Sequence, residues 1–268
     1  MALLAGRACL VAALACGGPH CAGQPVPVRH VEGTLRGFLA LRGQDGRVVA
    51  AGELSQVARG GTVTARLVFH FRDGSVDDET TVFTQRGTFR LVSDHHIQQG
   101  PSFPKPMDLT IDVAHGRVTS RSTDKGGKAQ VKSETMRLPT DLANGMVSII
   151  AKNIRPETAE TKVSMVVLTP KPRVVTLAIS PQGEDSYSLL GLPRKGLHYT
   201  IKIELGGLAG MVAPLIGKEP PVIQVWVLGG DAPTFLRSEA QSFQDGPIWI
   251  TELASPDWPE TAAQPHNP

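Results

Sequence analysis

Cysteine is nearly absent from this chain. The three that are present, Cys9, Cys16 and Cys21, all lie within the first 21 residues. Because no cysteine follows Cys21, the body of the protein has no thiol for nucleophilic catalysis or metal ligation. Any chemistry in the main part of the chain must use other side chains.

Charge is also scarce. Charged residues make up 19% of the chain and the net charge is +2, with the basic residues scattered and few aromatic residues between them. This pattern lacks the electrostatic footprint of a nucleic-acid-binding surface, so we expect no nucleic-acid partner. The hydrophobic content of 41% is enough for a substantial core and too high for a disordered chain.

The chain has no apolar run of the roughly 20 residues that a membrane-spanning helix needs. The uncharged run 8–15 follows Arg7 and contains small residues at Ala13 and Ala15, which together form the three parts of a secretory signal. We therefore assign residues 1–22 to a signal peptide, cleaved after Ala15 or after Ala22. The mature protein is expected in the periplasm or outside the cell.

Cys16 leaves two alternatives open for the mature N-terminus. Cleavage after Ala15 would make Cys16 the first residue, as a bacterial lipoprotein requires, and a lipid there would anchor the protein to a membrane. Ala13-Leu14 departs from the usual Leu-small-small-Cys box. The other alternative is a freely soluble protein in which Cys16 is removed or is paired with Cys21.

Most of the mature chain shows the alternation of apolar and polar residues that is typical of β-strands. Its 28 glycines and 21 prolines suit many short turns. In the segment 62–72, Val63, Ala65, Leu67, Phe69 and Phe71 face inward while polar residues alternate with them. Strands are predicted near 31–42, 47–58, 62–72, 79–85, 88–98, 107–114, 117–122, 128–135, 162–169, 173–180, 185–190, 197–205, 221–228 and 233–241.

Tight turns between neighbouring strands require antiparallel pairing. The predicted fold class is therefore mainly β: an antiparallel curved sheet, half-barrel or clam over residues 31–250, with two short covering helices. Residues 23–30 form a tether and residues 251–268 a Pro-rich tail. The strands after 155–160 either continue the first sheet or form a second sheet facing it, so the domain could divide into two halves there.

The first predicted helix spans 141–154. Thr140 or Asp141 would cap it, and Leu142, Met146, Ile149 and Ile150 recur at helical spacing. Asn144-Gly145 competes with this prediction, because that dipeptide is also a strong hairpin signal.

The second predicted helix, 207–216, lies in a stretch without charge between Glu204 and Lys218. It would be a core helix that plugs the open sheet or a lid over a lipid-sized cavity. Five residues on its apolar stripe are the candidate contacts of an apolar ligand: Leu208, Met211, Val212, Leu215 and Ile216.

Residues of the types used in metal sites occur at Asp94-His95-His96. Side chains of successive strand residues point to opposite faces, so His95 and His96 cannot share one metal ion. The alternation places His95 on the face of Phe89, Leu91 and Ile97. We therefore expect no metal site here.

Catalytic motifs are missing as well. The run Asp77-Asp78-Glu79 reads as a solvated charge cluster in a hairpin, and Gly183-Glu184-Asp185 reads as a turn. No serine lies in a Gly-x-Ser-x-Gly motif. We expect no catalytic residue and no cofactor.

Two phrases of the sequence, residues 139–146 (PTDLANGM) and 193–199 (PRKGLHY), together with the leader and the strand pattern, resemble uncharacterised bacterial periplasmic β-proteins. The layout is similar to that of the lipoprotein-carrier group, in which a half-open curved sheet covered by helices holds an acyl chain. The resemblance covers most of 31–250 in layout, and no functional residue carries over from it.

Two functions are favoured by these observations, and an enzyme comes third, because no catalytic motif is present although tertiary geometry can assemble a site that the sequence hides. The first is an exported envelope protein that binds a lipid or another apolar ligand in a concave β cavity. The alternative is a non-enzymatic structural or interaction protein with a filled core that contacts another envelope protein. The interior of the sheet distinguishes them, because ligand cavities are mostly apolar spaces of roughly 300–1,000 Å³.

Overall fold

The computed structural model describes residues 23–123, 128–168, 171–189, 191–204, 221–243 and 245–254. Across these ranges the protein is mainly β, with 14 strands in one antiparallel sheet and one short helix. The elements are β1 Leu35–Gly43, β2 Val48–Arg59, β3 Thr62–Phe71, β4 Val76–Arg86, β5 Thr88–Gln99, β6 Met107–Asp112, β7 Arg117–Thr123, β8 Ala129–Thr135, α1 Val147–Asn153, β9 Thr161–Leu168, β10 Pro172–Leu189, β11 Leu192–Glu204, β12 Ile223–Leu228, β13 Thr234–Gln241 and β14 Ile248–Ala254.

The strands form two meanders that join into one sheet. Strands β1 to β8 pair in sequence order, as do β9 to β14. The two runs meet where β14 pairs with β1, for example Leu253 opposite Leu39. The second run thus continues the first sheet instead of facing it. Residues 155–160 separate the two runs along the chain.

Two features of the second meander differ from the sequence-based prediction. The predicted strands 173–180 and 185–190 are one long strand, β10, and the predicted turn at Gly183-Glu184-Asp185 lies inside it. A register shift between Pro181 and Gly183 accommodates the glycine, so the chain bulges without reversing. Strand β14 was not predicted, and it extends to Ala254, within the range assigned to the tail.

The sheet curls around its larger core. Ile111 of β6 and Ile201 of β11 belong to the same buried cluster, together with Ile150 of α1. These two strands are nine strand positions apart, which would separate them by about 43 Å in a flat sheet. The sheet must therefore curve until its two wings enclose α1. We call the face that carries this cluster the inner face. Among the described strands the sheet is open, with β8 and β9 at its edges.

The helix is shorter than predicted, Val147–Asn153 instead of 141–154, and neither Thr140 nor Asp141 caps it. The polar side chains before it bond to edge strand β9 instead. Asp141 accepts a hydrogen bond from the Ser164 hydroxyl at 3.0 Å, and the Asn144 amide group both donates to and accepts from the Val166 backbone at 2.9 Å. The second predicted helix, 207–216, lies outside the described residues.

The N-terminal segment is packed into the domain, although residues 23–30 were expected to be a tether. Val26 is 5% exposed, and its carbonyl accepts a hydrogen bond from the Phe89 backbone. The backbone N–H groups of Arg29 and His30 both donate to the Asn153 side chain at the end of α1. An apolar side chain and backbone pairing thus hold this segment, which composition alone did not reveal.

A second buried cluster lies apart from α1 and is rich in aromatic residues. Phe71, Phe103, Phe243 and Trp249 pack with ring centroids 5.1–5.9 Å apart, mostly edge to face. Such contacts fill space densely and favour a single arrangement. No helix among the described residues has the length and apolarity required to cross a membrane.

Candidate functional site

A bulge in β5 decides which polar side chains face inward. Leu91 lies opposite Phe83, and Ser93 lies opposite Val82, so Val92 is an extra residue in the strand. An extra residue shifts the alternation of side chains by one position. After it, Asp94, His96 and Gln98 share the inner face with Phe89 and Leu91.

The prediction that His95 and His96 point to opposite faces is correct, but the predicted face of His95 is wrong because of this bulge. His95 lies on the outer face, where its Nε2 is 3.0 Å from Asp108 Oδ1. Arg121 donates to the same carboxylate oxygen at 3.2 Å. The inner histidine is His96.

The charged run of β4 contributes to the same inner site and is not simply solvated. Asp78 points outward to Arg66, with which it forms two hydrogen bonds. Asp77 and Glu79 point inward, and His96 Nε2 lies 2.6 Å from Asp77 Oδ1. The period-2 pattern of Glu79 with Phe83 within the predicted strand 79–85 could have revealed the orientation of Glu79, whereas Asp77 lies in the part of β4 that was not predicted.

The inner polar groups of β4 and β5 form two hydrogen-bonded sets on neighbouring residues. The Thr81 hydroxyl donates to Asp94 Oδ1 at 2.7 Å. The Gln98 amide donates to Asp77 Oδ2 and to the Ser242 carbonyl, both at 3.1 Å. We call the set of Asp77, Glu79, Thr81, Asp94, His96 and Gln98 the acid–histidine cluster.

Burial and neighbouring charges raise the pKa values of three members of this cluster, Glu79, Asp94 and His96. Burial raises the pKa of the Glu79 carboxyl, and burial together with the nearby Glu79 raises the pKa of Asp94 to about 7. The pKa of His96 rises to about 9 because the attraction of Glu79, Asp77 and Asp94 outweighs the effect of burial. At neutral pH His96 is therefore a cation hydrogen-bonded to Asp77. Among the described residues, no three His, Asp or Glu side chains are arranged to hold a metal ion.

A row of accessible side chains crosses the inner face from β1 to β5. The register places one residue of each strand in this row, each opposite the next. In order from β1 to β5 they are Gly37, Leu54, Leu67, Glu79 and His96. The side chains of Glu79 and His96 are 25% and 22% exposed, and the two leucines are half-buried. Leu109 of β6, the next residue in the row, is buried and closes this end.

From β2 to β5 the rows on either side of this accessible row are buried, except at Asp77, which is half-buried. One side has Leu39, Gly52, Phe69 and Gln98, which adjoin the aromatic cluster. The other has Gln56, Ala65, Thr81 and Asp94, which adjoin the core around α1. The accessible row thus lies between the two cores, and we call it the inner groove.

The inner groove is open where β1 meets β14. Leu253 lies opposite Leu39 on the inner face and is 49% exposed, and Leu35 of β1 is also exposed. At Gly37 an added Cβ would meet no atom within 4 Å. The groove therefore has an apolar open end and a polar end at Glu79 and His96.

Two clefts lie at the rims of the sheet. One, of about 470 Å³, is lined by charged Arg47, Arg72 and Asp73 together with Val49 and Phe71. A smaller one, of about 100 Å³, lies between the N-terminal segment, α1 and the β12–β13 loop. The large cleft is open to solvent at the edge of the aromatic cluster.

The residues singled out from sequence as ligand contacts, Leu208, Met211, Val212, Leu215 and Ile216, lie outside the described residues, as does Cys16. The acid–histidine cluster and the groove leucines were not predicted as a site. Their signal depends on cross-strand register and on the bulge at Val92, which alternation within one strand does not show.

Comparisons with known proteins show no named family. No protein-family model matches the chain, and no curated protein matches it. Among solved structures, the chain is similar to a β-barrel-like protein of a domain of unknown function, DUF1849, from Brucella abortus. The TM-score is 0.44, with 10% sequence identity over 87% of this chain and 98% of that chain.

Proposed function

We propose that this is an exported envelope protein that binds a single-chain lipid in the inner groove. The observation that carries the proposal is the accessible row between two buried cores. Leu54 and Leu67 of the row, and Leu253 beside Leu39 in the neighbouring row, keep apolar surface accessible on the core-facing side of the sheet. A connected apolar surface of this kind is typical of a ligand-binding groove.

The dimensions of the groove suit an extended chain. From Gly37 to Leu109 the row crosses five strand spacings, about 24 Å. The groove is one residue wide from β2 to β5, where the rows beside it are mostly buried. Burial of a methylene group contributes about 0.8 kcal/mol, so an acyl chain along the row would gain affinity with each carbon covered.

Export is the second part of the proposal and rests on the leader. Arg7, the uncharged run 8–15 and its small residues Ala13 and Ala15 support secretion. An envelope location would bring the groove close to membrane lipids. A lipidated Cys16 would add a membrane anchor to this arrangement.

A structural or interaction protein is the second candidate. It is favoured by the dense packing of both cores, since Ile149 and Ile150 of α1 are buried, as are Phe71, Phe103 and Trp249 of the other cluster. In that case the groove leucines would contact a protein partner or remain solvated.

Filling the groove tests the proposal. Gly37→Trp would place an indole on the groove floor where the Cβ meets no neighbour, so the sheet should remain folded. Gly33→Trp is the matched control, because its Cβ also meets no atom within 4 Å but lies outside the row. Native mass spectrometry after mild purification and titration with a fluorescent fatty acid would measure ligand content and affinity.

We expect the parent and Gly33→Trp to carry and bind lipid, and Gly37→Trp to lose at least about tenfold in affinity, the equivalent of burying two methylene groups fewer. If the parent binds no lipid, the structural alternative replaces the proposal. Equal binding by both tryptophan variants would show that the ligand lies elsewhere.

A further inference from the structure

We infer that the protein forms a two-fold symmetric dimer through the free edge of β8, to which a second copy of the chain adds its own β8 in antiparallel orientation. This interface is independent of ligand binding in the inner groove. It follows from an edge whose backbone groups are unpaired and whose charged side chains complement those of a second copy.

The two edges of the sheet differ in how they are covered. The loop before α1 covers β9, because the Ala143 backbone N–H donates to the Ser164 carbonyl and the Asn144 side chain bonds both backbone groups of Val166. Strand β8 pairs with β7 on one side only. On its other side, no described residue forms a hydrogen bond with the backbone of residues 131–135. An uncovered edge of this kind is a template for another strand.

The hydrogen bonds of the sheet determine which backbone groups point toward this edge. The Met136 N–H donates to the Gly116 carbonyl at 2.8 Å, and the two residues continue the register of β7 and β8. Hydrogen-bonded and non-hydrogen-bonded positions alternate in an antiparallel pair, so the even-numbered residues of β8 bond to β7. The N–H and C=O groups of Val131, Ser133 and Thr135 therefore point outward.

Two charged side chains of β8 are available for an ion pair with another chain. Lys132 and Glu134 lie on the inner face, since Glu134 is opposite the buried Val118. Neither side chain forms an ion pair or a hydrogen bond with another described residue. A lysine on an edge strand normally opposes pairing, but here a glutamate two residues away can supply the opposite charge from a second copy. Val131, on the outer face, is 64% exposed and would be partly covered.

These charges favour one register for the symmetric pair. When Ser133 lies opposite the partner's Ser133, each Lys132 lies opposite the partner's Glu134, and opposite charges at cross-strand positions stabilise a strand pair. A register centred on Lys132 would place two lysines opposite each other. One centred on Val131 would place Lys132 opposite the partner's Gln130, without an ion pair. The register centred on Ser133 is therefore preferred.

The size of this interface predicts a reversible dimer. Strand β8 has only seven residues, so the pair buries less than the roughly 1,200–2,000 Å² of a standard stable interface. We expect a dissociation constant in the micromolar range. Sedimentation velocity of the full chain from about 1 µM to about 200 µM should show the monomer converting to a dimer as the concentration rises.

Charge reversal tests the pairing. Lys132→Glu places two glutamates opposite each other at both symmetry-related positions, and Glu134→Lys does the same with two lysines. Each variant should weaken the dimer by about tenfold or more. The double variant Lys132→Glu with Glu134→Lys restores opposite charges and should dimerise like the parent. Lys202→Glu, at an exposed position of the interior strand β11, is the matched control and should not change dimerisation.

A backbone variant tests the edge itself. Ser133→Pro removes an outward N–H that β7 does not use, and proline is tolerated at such positions of edge strands. This variant should remain folded, as judged by its far-ultraviolet circular dichroism, and should stay monomeric over the whole concentration range.

Three results would overturn the inference. The first is a parent that stays monomeric at every concentration. The second is a dimer that persists in Ser133→Pro and in both single charge reversals, because its interface would then lie elsewhere. The third is dissociation in the single charge variants without recovery in the double variant, which would exclude the pairing of Lys132 with Glu134. Lipid binding is measured separately, so none of these results decides the function of the inner groove.

Discussion

Gly145 lies directly against the Thr81 hydroxyl, so the loop that leads into α1 rests on the acid–histidine cluster of the sheet. Gly145 has a φ of 64°, in the left-handed region that favours glycine. A Cβ at this position would also lie 3.1 Å from Asp94 Oδ1. The contact joins the helix inside the curl to the polar end of the groove.

Replacement of Gly145 should therefore destabilise the fold through two effects. Gly145→Ala adds a Cβ where the Thr81 hydroxyl already lies, and it forces alanine into a left-handed conformation. We expect the free energy of unfolding to fall by about 2–4 kcal/mol. Gly46→Ala is the control, because Gly46 has a φ of 79° and open space around it, and it should cost only about 1–2 kcal/mol. Urea denaturation measures both. If both variants lose the same free energy of unfolding, the close approach of the new Cβ to Thr81 does not destabilise the fold.

Stability should decrease as pH rises from about 4 to about 9. Burial, with the nearby Glu79, raises the pKa of Asp94 from 3.8 to about 7, so the folded state holds a proton that the unfolded state releases across this window. His96, whose pKa rises from 6.5 to about 9, extends the same trend to higher pH. In both cases the folded state binds more protons, and stability is lost as they leave.

Two substitutions separate these contributions. Asp94→Asn keeps an acceptor for the Thr81 hydroxyl and should flatten the profile between about pH 4 and pH 7. His96→Gln should flatten it between about pH 6.5 and pH 9. The measurement is the urea midpoint across pH, and a parent midpoint that rises over this range would contradict the assigned protonation.

Removal of one partner of the buried ion pair between Lys152 and Glu32 should strongly lower the free energy of unfolding. Lys152 Nζ lies 2.6 Å from Glu32 Oε1, and the two side chains are 11% and 6% exposed. Lys152→Met leaves the Glu32 carboxylate buried without a cation, with Gln56 as its hydrogen-bond donor among the described residues, so we expect a loss of about 3–5 kcal/mol in the free energy of unfolding.

The exposed pair Arg66–Asp78 provides the comparison for this prediction. Arg66→Met should cost less than about 1 kcal/mol, because solvent already screens that pair. The double variant Lys152→Met with Glu32→Gln should recover most of the stability lost in Lys152→Met. If the double variant does not recover stability, the loss in Lys152→Met comes from disturbed packing around the methionine and not from the unpaired charge of Glu32.

Processing of the leader gives a prediction that is independent of the groove. Mature protein from the cell envelope should begin at Cys16 or shortly after it, and before Val26, whose side chain and carbonyl are part of the folded domain. N-terminal sequencing or intact-mass measurement would detect this, and intact Met1 in the envelope fraction would contradict it. Cys16→Ser should release a lipoprotein from membranes and leave the fractionation of a soluble protein unchanged.

The sequence alone was sufficient to predict the positions of the strands and the antiparallel pairing of neighbours in the first meander. Alternation such as that of Val63, Ala65 and Phe69 predicted the strands of the first meander to within a few residues. Turn residues between them required antiparallel neighbours. This information is local, because side-chain direction in a strand and the geometry of a tight turn depend on adjacent residues.

The candidate site could not be predicted in the same way. Only the tertiary structure shows that β14 joins β1 and that the bulge at Val92 turns His96 inward. It also shows that the side chains of Asp141 and Asn144 bond to β9, which shortens α1. These features depend on register and on partners far away in sequence. The groove arises between two separately packed cores, and its position follows from how the whole sheet curls.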